Sequence, residues 1–259
     1  MRFRYLVATS LMVIAVHSGL QAAQPIVPSV QKPNSVVIVE LFTSEGCSSC
    51  PPADTLLQQV NLKETSAGQL ILGISEHVTY WNNLGWKDPY SLPLFTERQS
   101  VYASHLSLEG PYTPQMVLNG RDQFVGSDGA ALVRALRDES KRDHVDLSIV
   151  SLVPTGSALD VKFSLTGHVT KPLDIIAVLT DDADQSNVLR GENNGRLLQH
   201  VSVARSLTQV ATVKGDAEQT VRILLPSEFE QGNGSGHHLI LFAQEPHQGV
   251  ILGATTKPL

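Results

Sequence analysis

Cys47 and Cys50 are the only two cysteines in the 259-residue chain, and two serines separate them in "SEGCSSCPPAD". A Cys-x-x-Cys pair admits three chemistries. As a staple it would close a tiny loop, and the stabilisation from a cross-link grows with loop length. As a metal clamp it would suit a soft ion, since soft ions favour sulfur ligands. However, Met116 is the one methionine beyond the N-terminal segment, so a thioether-rich copper cluster is absent. As a redox couple, one thiolate attacks a disulfide and the second sulfur resolves the mixed intermediate. Thiol–disulfide exchange is the reading the pair supports best.

Such a pair needs elements that present both sulfurs together. The run "SVVIVELF" before it is continuous, apolar and β-branched, which predicts a buried strand. After Pro51 and Pro52, "ADTLLQQVNLKE" carries apolar residues at helical spacing, and proline is tolerated in a first helical turn. "QLILGIS" (69–75) predicts a second buried strand. The order strand, Cys-x-x-Cys, helix, strand is a redox signal. It places Cys47 outermost at the helix start, where the dipole favours its thiolate. Glu45, two residues earlier, either opposes that thiolate or is a solvated turn residue.

Further along, residues 77–95 form an aromatic insertion with both tryptophans. "TERQSVYASHL" predicts a helix with Thr96 as N-cap. "GPYTPQMVLNGRDQFVG" predicts a strand, an Asn-Gly turn and a second strand. "DGAALVRALRDESKR" predicts an amphipathic helix opened by Asp128. Beyond about residue 143, short alternating runs such as "LDIIAVLTD" and "HLILFAQ", separated by turn residues, predict an antiparallel β-sandwich.

The N-terminus has the layout of a secretory signal: basic "MRFRY", a short apolar run, then "GLQAAQ" with small residues for cleavage. The run is short of a membrane span, although a signal anchor is the alternative. Removing residues 1–23 leaves 17 basic against 25 acidic residues. That balance argues against a nucleic-acid partner. The expected organisation is 1–23 signal peptide, 24–34 flexible lead-in, 35–142 α/β domain and 143–259 β-sandwich-like domain. An exported protein, periplasmic or secreted, with no stable membrane span after cleavage is expected.

"YTPQMVLNG" adds a second feature. With the Cys-x-x-Cys unit, it resembles the thioredoxin superfamily, which sets a cis-proline before a central strand, facing the cysteines. The resemblance implies an α/β thioredoxin-like N-terminal domain, followed by the all-β C-terminal domain that the strand pattern predicts. It also implies a cis bond at Pro114, with Thr113 and Pro114 positioning substrate. The blocks "VVIVELFTSEGCSSCPPADTLL", "HVTYWNNLGWKDPYS", "FTERQSVYA", "YTPQMVLNG" and "RGENNGRLLQHVSVARSL" together resemble one secreted, thioredoxin-like family, domain of unknown function 1223. Two positions depart from its pattern: Thr79 and Asn119 stand where Asp is common. If a carboxylate carries protons in relatives, Thr79 puts that role in doubt here.

His77 and Trp81 are candidates for a substrate wall beside the cysteines, with packing of the insertion as the alternative; Trp86 reads better as packing. Arg190, Glu192, Asn193, Arg196 and His200, dense in hydrogen-bonding groups, would meet a partner or bridge the two domains. His237 and His238 would point to opposite faces of a strand, so no metal site is expected there. The functional expectation is a thiol–disulfide oxidoreductase with no cofactor beyond its own Cys47–Cys50 disulfide, acting on protein or small-molecule thiols and disulfides with an unidentified redox partner. A non-catalytic binding module with a fixed disulfide is the alternative, and a copper carrier the weakest reading.

Overall fold

The run "SVVIVELFT" forms β1 (Ser35–Thr43), buried for nearly its whole length, and β2 (Gln69–His77) pairs with it in parallel. Between them α1 spans Pro51–Val60 and buries Ala53, Asp54 and Leu57. These elements belong to a computed structural model that describes Met1 and residues 35–227, 229 and 236–259. The expected signal cleavage site and lead-in lie outside the described residues.

The remaining elements, in chain order, are α2 (Pro93–His105), β3 (Gln115–Leu118), β4 (Asp122–Val125), α3 (Gly129–Glu139), β5 (Asp146–Thr155), β6 (Ala158–Thr166), β7 (Leu173–Asn187), β8 (Leu197–Val213), β9 (Ala217–Leu224), β10 (His237–Gln244) and β11 (Ile251–Pro258). Helix α3 starts as its sequence predicts: the Asp128 carboxylate accepts from the Ala131 N–H. Helix α2 starts earlier than expected, with Leu92 at its N-cap. Thr96 instead sits inside it, and its hydroxyl accepts from the Thr79 N–H and pairs with the Thr79 hydroxyl.

The expected architecture, a thioredoxin-like α/β domain followed by an all-β domain, is not what forms. The protein is mostly β, with three helices among the described residues. A single mixed sheet in the order β11-β10-β7-β8-β2-β1-β3-β4 runs across both halves of the sequence. The join is parallel, Ser75 on β2 against Val203 on β8. A three-stranded sheet, β5-β6-β9, covers part of one face.

Burial on both faces explains why. Along β7, Ile175, Ala177 and Leu179 enter a core with Val161, Phe163 and Leu165 of β6, while Ile176 and Val178 enter another with Ile38, Leu72 and Phe95. Strand β10 divides in the same way, Leu239 and Leu241 from Ile240 and Phe242. A strand covered on both faces must sit inside a larger sheet, which here continues into β1 and β2.

Asn119 fastens the far corner. It takes the left-handed conformation (φ 47°), with Gly120 (φ 65°) completing the predicted turn. Its side-chain oxygen accepts from the Ile38 N–H at 2.8 Å, and its amide donates to buried Glu139 at 2.9 Å. Its own carbonyl accepts from Ile251 N–H at the start of β11. An ionised aspartate in this place could not make the donation to Glu139.

Candidate functional site

The chain leaves β1 at Thr43 and turns through Ser44–Cys50 into α1. Cys47 and Cys50 are joined by a disulfide, with Cα atoms 5.5 Å apart. Both are fully buried, while Ser48 and Ser49 between them are exposed. Cys50, not Cys47, is the N-cap of α1. The helix start is poor in free donors. Pro51 and Pro52 have no N–H, and the Ala53 and Asp54 N–H groups are spent on the Cys50 carbonyl. The expected support for a Cys47 thiolate from unpaired helix N–H groups is therefore missing. The polar atom placed to serve it is the Ser49 hydroxyl, 3.3 Å from Cys47 Sγ.

The sequence-predicted residues gather around this turn unequally. Thr113–Pro114 is a cis peptide. Pro114 and Ala53, the latter in the first turn of α1, both crowd the Cβ position of Gly126, at 3.1 and 3.0 Å. The Pro114 carbonyl accepts from Gly126 N–H, so it is already used within the protein. Trp81 donates through Nε1 to Thr113 Oγ1 at 2.8 Å and abuts Gly46. Trp81, Thr113 and Pro114 thus stand beside the turn.

The loop 188–196, which joins β7 to β8, folds onto the turn from the other side. The Asn193 amide donates to the carbonyls of Glu45 and Cys47, each at 2.9 Å. The Ser48 N–H donates to the Glu192 carboxylate at 3.0 Å, and hydrogen bonds from Ser48 hold that carboxyl below its ordinary pKa. Arg196 donates to the Asn193 side-chain oxygen at 3.0 Å. Arg190 is exposed, and the structure gives it no partner among the described residues.

Beneath the turn lies a buried polar network that the sequence reading largely missed. Glu45 is fully buried. Its carboxylate accepts from Trp86 Nε1 at 2.7 Å and from the Ser186 hydroxyl, and its N–H donates to Asp88. His200 lies 3.4 Å from Glu45 and 3.7 Å from Asp54. Burial opposes the charge on His200, but the carboxylates of Asp54 and Glu45 outweigh it and push its pKa up to about 10. His77, also fully buried, bonds through Nδ1 to Asp88 at 2.7 Å and meets the His200 ring edge-on at 4.6 Å. Burial works against the Asp88 charge too. His77 and the N–H groups of Glu45 and Tyr90 prevail and hold its carboxyl below the usual range. The roles of Glu45, Asp54, Asp88 and Trp86 come from partners distant in sequence, and no local pattern announced them.

A polar cavity of about 730 Å³ opens on the outer side of this network, lined in part by Tyr90, Asp181, Asp184, His200 and Arg205. Burial, then the neighbouring Asp181, raises the Asp184 carboxyl to about 6. A smaller hollow of about 150 Å³ touches Pro51 and Asp54 at the start of α1 and shares Gln58 and Gln199 with the large one.

His237 and His238 pair with Asp181 and Asp182 respectively. No group of three or more ligating side chains able to hold a metal ion occurs among the described residues. No helix among them is long and apolar enough to cross a membrane.

The fold and site define a β-rich protein with a clasped Cys-x-x-Cys disulfide at a strand-to-helix turn. The chain belongs to the family of proteins of unknown function DUF1223, whose profile matches residues 38–244. It is similar to a protein of Agrobacterium tumefaciens known from a structural-genomics crystal structure, at 27% identity and a TM-score of 0.65. That match covers 86% of this chain and 94% of the other. A late embryogenesis abundant protein solved in solution matches at 8% identity and a TM-score of 0.28, over 50% of this chain and 82% of that one; it carries no argument. No curated protein matches the sequence.

Proposed function

We propose that this protein is an exported thiol–disulfide oxidoreductase, periplasmic or secreted, whose redox couple is Cys47–Cys50. The observation that carries the reading is the disulfide itself, which encloses only Ser48 and Ser49 at the mouth of α1. A cross-link of that span contributes little to stability, yet two elements and a buried polar network converge on it.

In the exchange, a substrate thiolate attacks Cys47 Sγ, and the Cys47–Cys50 bond breaks. Cys50 leaves as a thiolate and takes up a proton. A second substrate thiolate then displaces Cys47 from the mixed disulfide. Two electrons pass from the substrate dithiol to the pair, and a partner's disulfide reoxidises it. The reverse sequence reduces a substrate disulfide, with Cys47 as nucleophile and Cys50 resolving. Trp81, Thr113 and Pro114 border the approach, and His77 acts from behind through Asp88. The redox pair is the only prosthetic chemistry the reading calls for. Protein thiols and disulfides suit a chain with net charge −6 better than nucleic acid does.

A second reading, a binding module with a fixed disulfide, draws on the complete burial of both sulfurs. Mixed-disulfide trapping separates the two. Cys50→Ser, expressed with its signal in the source cell, is expected to accumulate reducible adducts through Cys47. Cys47→Ser and the double serine variant should yield none. Equal absence of adducts in all three would favour the fixed disulfide.

A further inference from the structure

We propose that Asn193 and Glu192, at the tip of the β7–β8 hairpin, are positioning residues for the Cys-x-x-Cys turn that also gate it. The sulfur of Cys47 becomes open to attack only when this clasp releases. The proposal rests on the exchange reading above, because a gate matters only if a thiol must enter.

The argument begins with backbone accounting. Buried N–H and C=O groups need partners. In the turn, the carbonyls of Glu45 and Cys47 share a donor in one side chain, Asn193, 146 to 148 residues away in sequence; the Cys47 carbonyl also accepts from the Cys50 N–H at 3.2 Å. The neighbouring Ser48 N–H has Glu192 as its acceptor. Three polar groups of one short turn are therefore tied to two adjacent residues of a distant hairpin. Asn193 is itself fully buried, so its amide is seated in the protein and not resting on its surface.

The tip is built to hold that pose. Gly195 N–H and Val188 N–H donate to Val188 and Arg196 carbonyls, closing the loop at its neck. Arg196 occupies the Asn193 side-chain oxygen, which leaves the amide nitrogen directed at the two carbonyls. Gly191 (φ 76°) allows the tip to lie against the 85–86 segment; a Cβ there would come within 3.3 Å of Trp86 Cβ. Trp86 in turn donates to Glu45, so the tip and the turn share a wall.

The chemical consequence concerns access. Disulfide exchange needs a thiolate to reach a sulfur atom, and neither sulfur of this pair is exposed. Releasing Asn193 removes the donor that ties the Glu45 and Cys47 carbonyls to the hairpin, and the turn can then shift to present Cys47. The clasp thus sets how fast the pair exchanges without setting which redox state it prefers.

The test measures rate and equilibrium separately on the full mature chain. The rate is that of Cys47–Cys50 reduction by dithiothreitol at fixed pH, followed by alkylation of the released thiols. The equilibrium is the reduction potential in a dithiothreitol buffer. Asn193→Ala removes two hydrogen bonds and is expected to speed reduction roughly ten- to hundredfold, with the potential nearly unchanged. Glu192→Gln is expected to give a smaller increase, because its amide oxygen can still accept from Ser48. If Asn193→Ala destabilises the fold, Asn193→Asp supplies the second variant: of similar size, it presents a carboxylate to two carbonyls and should open the clasp as fully. In denaturant all variants should reduce at one rate. Folded Asn193 variants reduced no faster than the parent would overturn the gate. So would a potential that moves in step with the rate, since the clasp would then act on the pair's stability. A potential as low as those of structural disulfides would count against the exchange reading instead, while the rate of reduction in excess dithiothreitol would still report on the clasp.

Discussion

Replacing Arg98 by methionine is expected to lower the unfolding free energy by about 3–5 kcal/mol, the cost of leaving a buried charge without its partner. Arg98 on α2 is 2% exposed. Its guanidinium bonds Glu40 on β1, approaches Glu76 on β2 at 3.6 Å, and donates to Tyr102 and to Gln244 on β10. Tyr102 also donates to Glu40 at 2.7 Å. Burial, then the adjacent Glu40, raises the Glu76 carboxyl well above the ordinary value. The cluster thus sets two buried acids around one fixed positive charge. Without Arg98, the Glu40 charge has no counter-ion in the core. Denaturant unfolding at pH 7 measures the loss. Combining Arg98→Met with Glu40→Met should recover part of it, since apolar replacement of both partners is often tolerated. A loss below about 1 kcal/mol in the single variant would mean that water reaches the cluster.

His200 gives the second large effect. His200→Asn is expected to cost about 3–5 kcal/mol at pH 7, because Glu45 and Asp54 would lose the cation between them. The same pair predicts a pH profile. A histidine whose pKa is raised on folding contributes stability that is complete below its ordinary value of 6.5 and is lost as pH rises through about 10. Wild-type stability should therefore fall across pH 6.5–10, and the fall should flatten in His200→Asn. Asp184, raised to about 6, adds an acid-side slope of the same sign: its contribution is full below about 4 and lost as pH rises to 6. Urea midpoints from pH 4 to 10 would resolve both. An alkaline limb identical in the variant would contradict the assignment to His200.

The two cysteines, the strand before them and the helix after them were legible because each rests on a local rule: apolar continuity, proline in a first turn, a Cys-x-x-Cys spacing. The Asn-Gly turn and the Asp128 cap were legible for the same reason. The architecture was misread at β7 and β10. Their runs "IIAVL" and "LILFA" are continuous, not alternating, which marks burial on both faces. The sandwich reading assigned them one covered face and missed that the sheet runs on into β2. The helix-start argument for Cys47 failed on a detail the sequence did contain, since two consecutive prolines remove the donors it invoked. Glu45 was read from its neighbours in sequence, as an acid near a thiol. Its actual surroundings, Trp86, Ser186 and His200, arrive from 41 to 155 residues away. The block 190–200 was visible as a stretch dense in hydrogen-bonding groups, but its target was not, because nothing local encodes which turn a hairpin tip will meet.

The reduction potential of Cys47–Cys50 in the mature protein, by equilibration with defined thiol buffers, tests the central claim most directly. As an equilibrium quantity it is independent of how slowly the clasp opens. A working couple is expected to fall within about −270 to −120 mV. A value below about −300 mV, the range of structural disulfides, would contradict the oxidoreductase reading and leave the pair as a fixed turn.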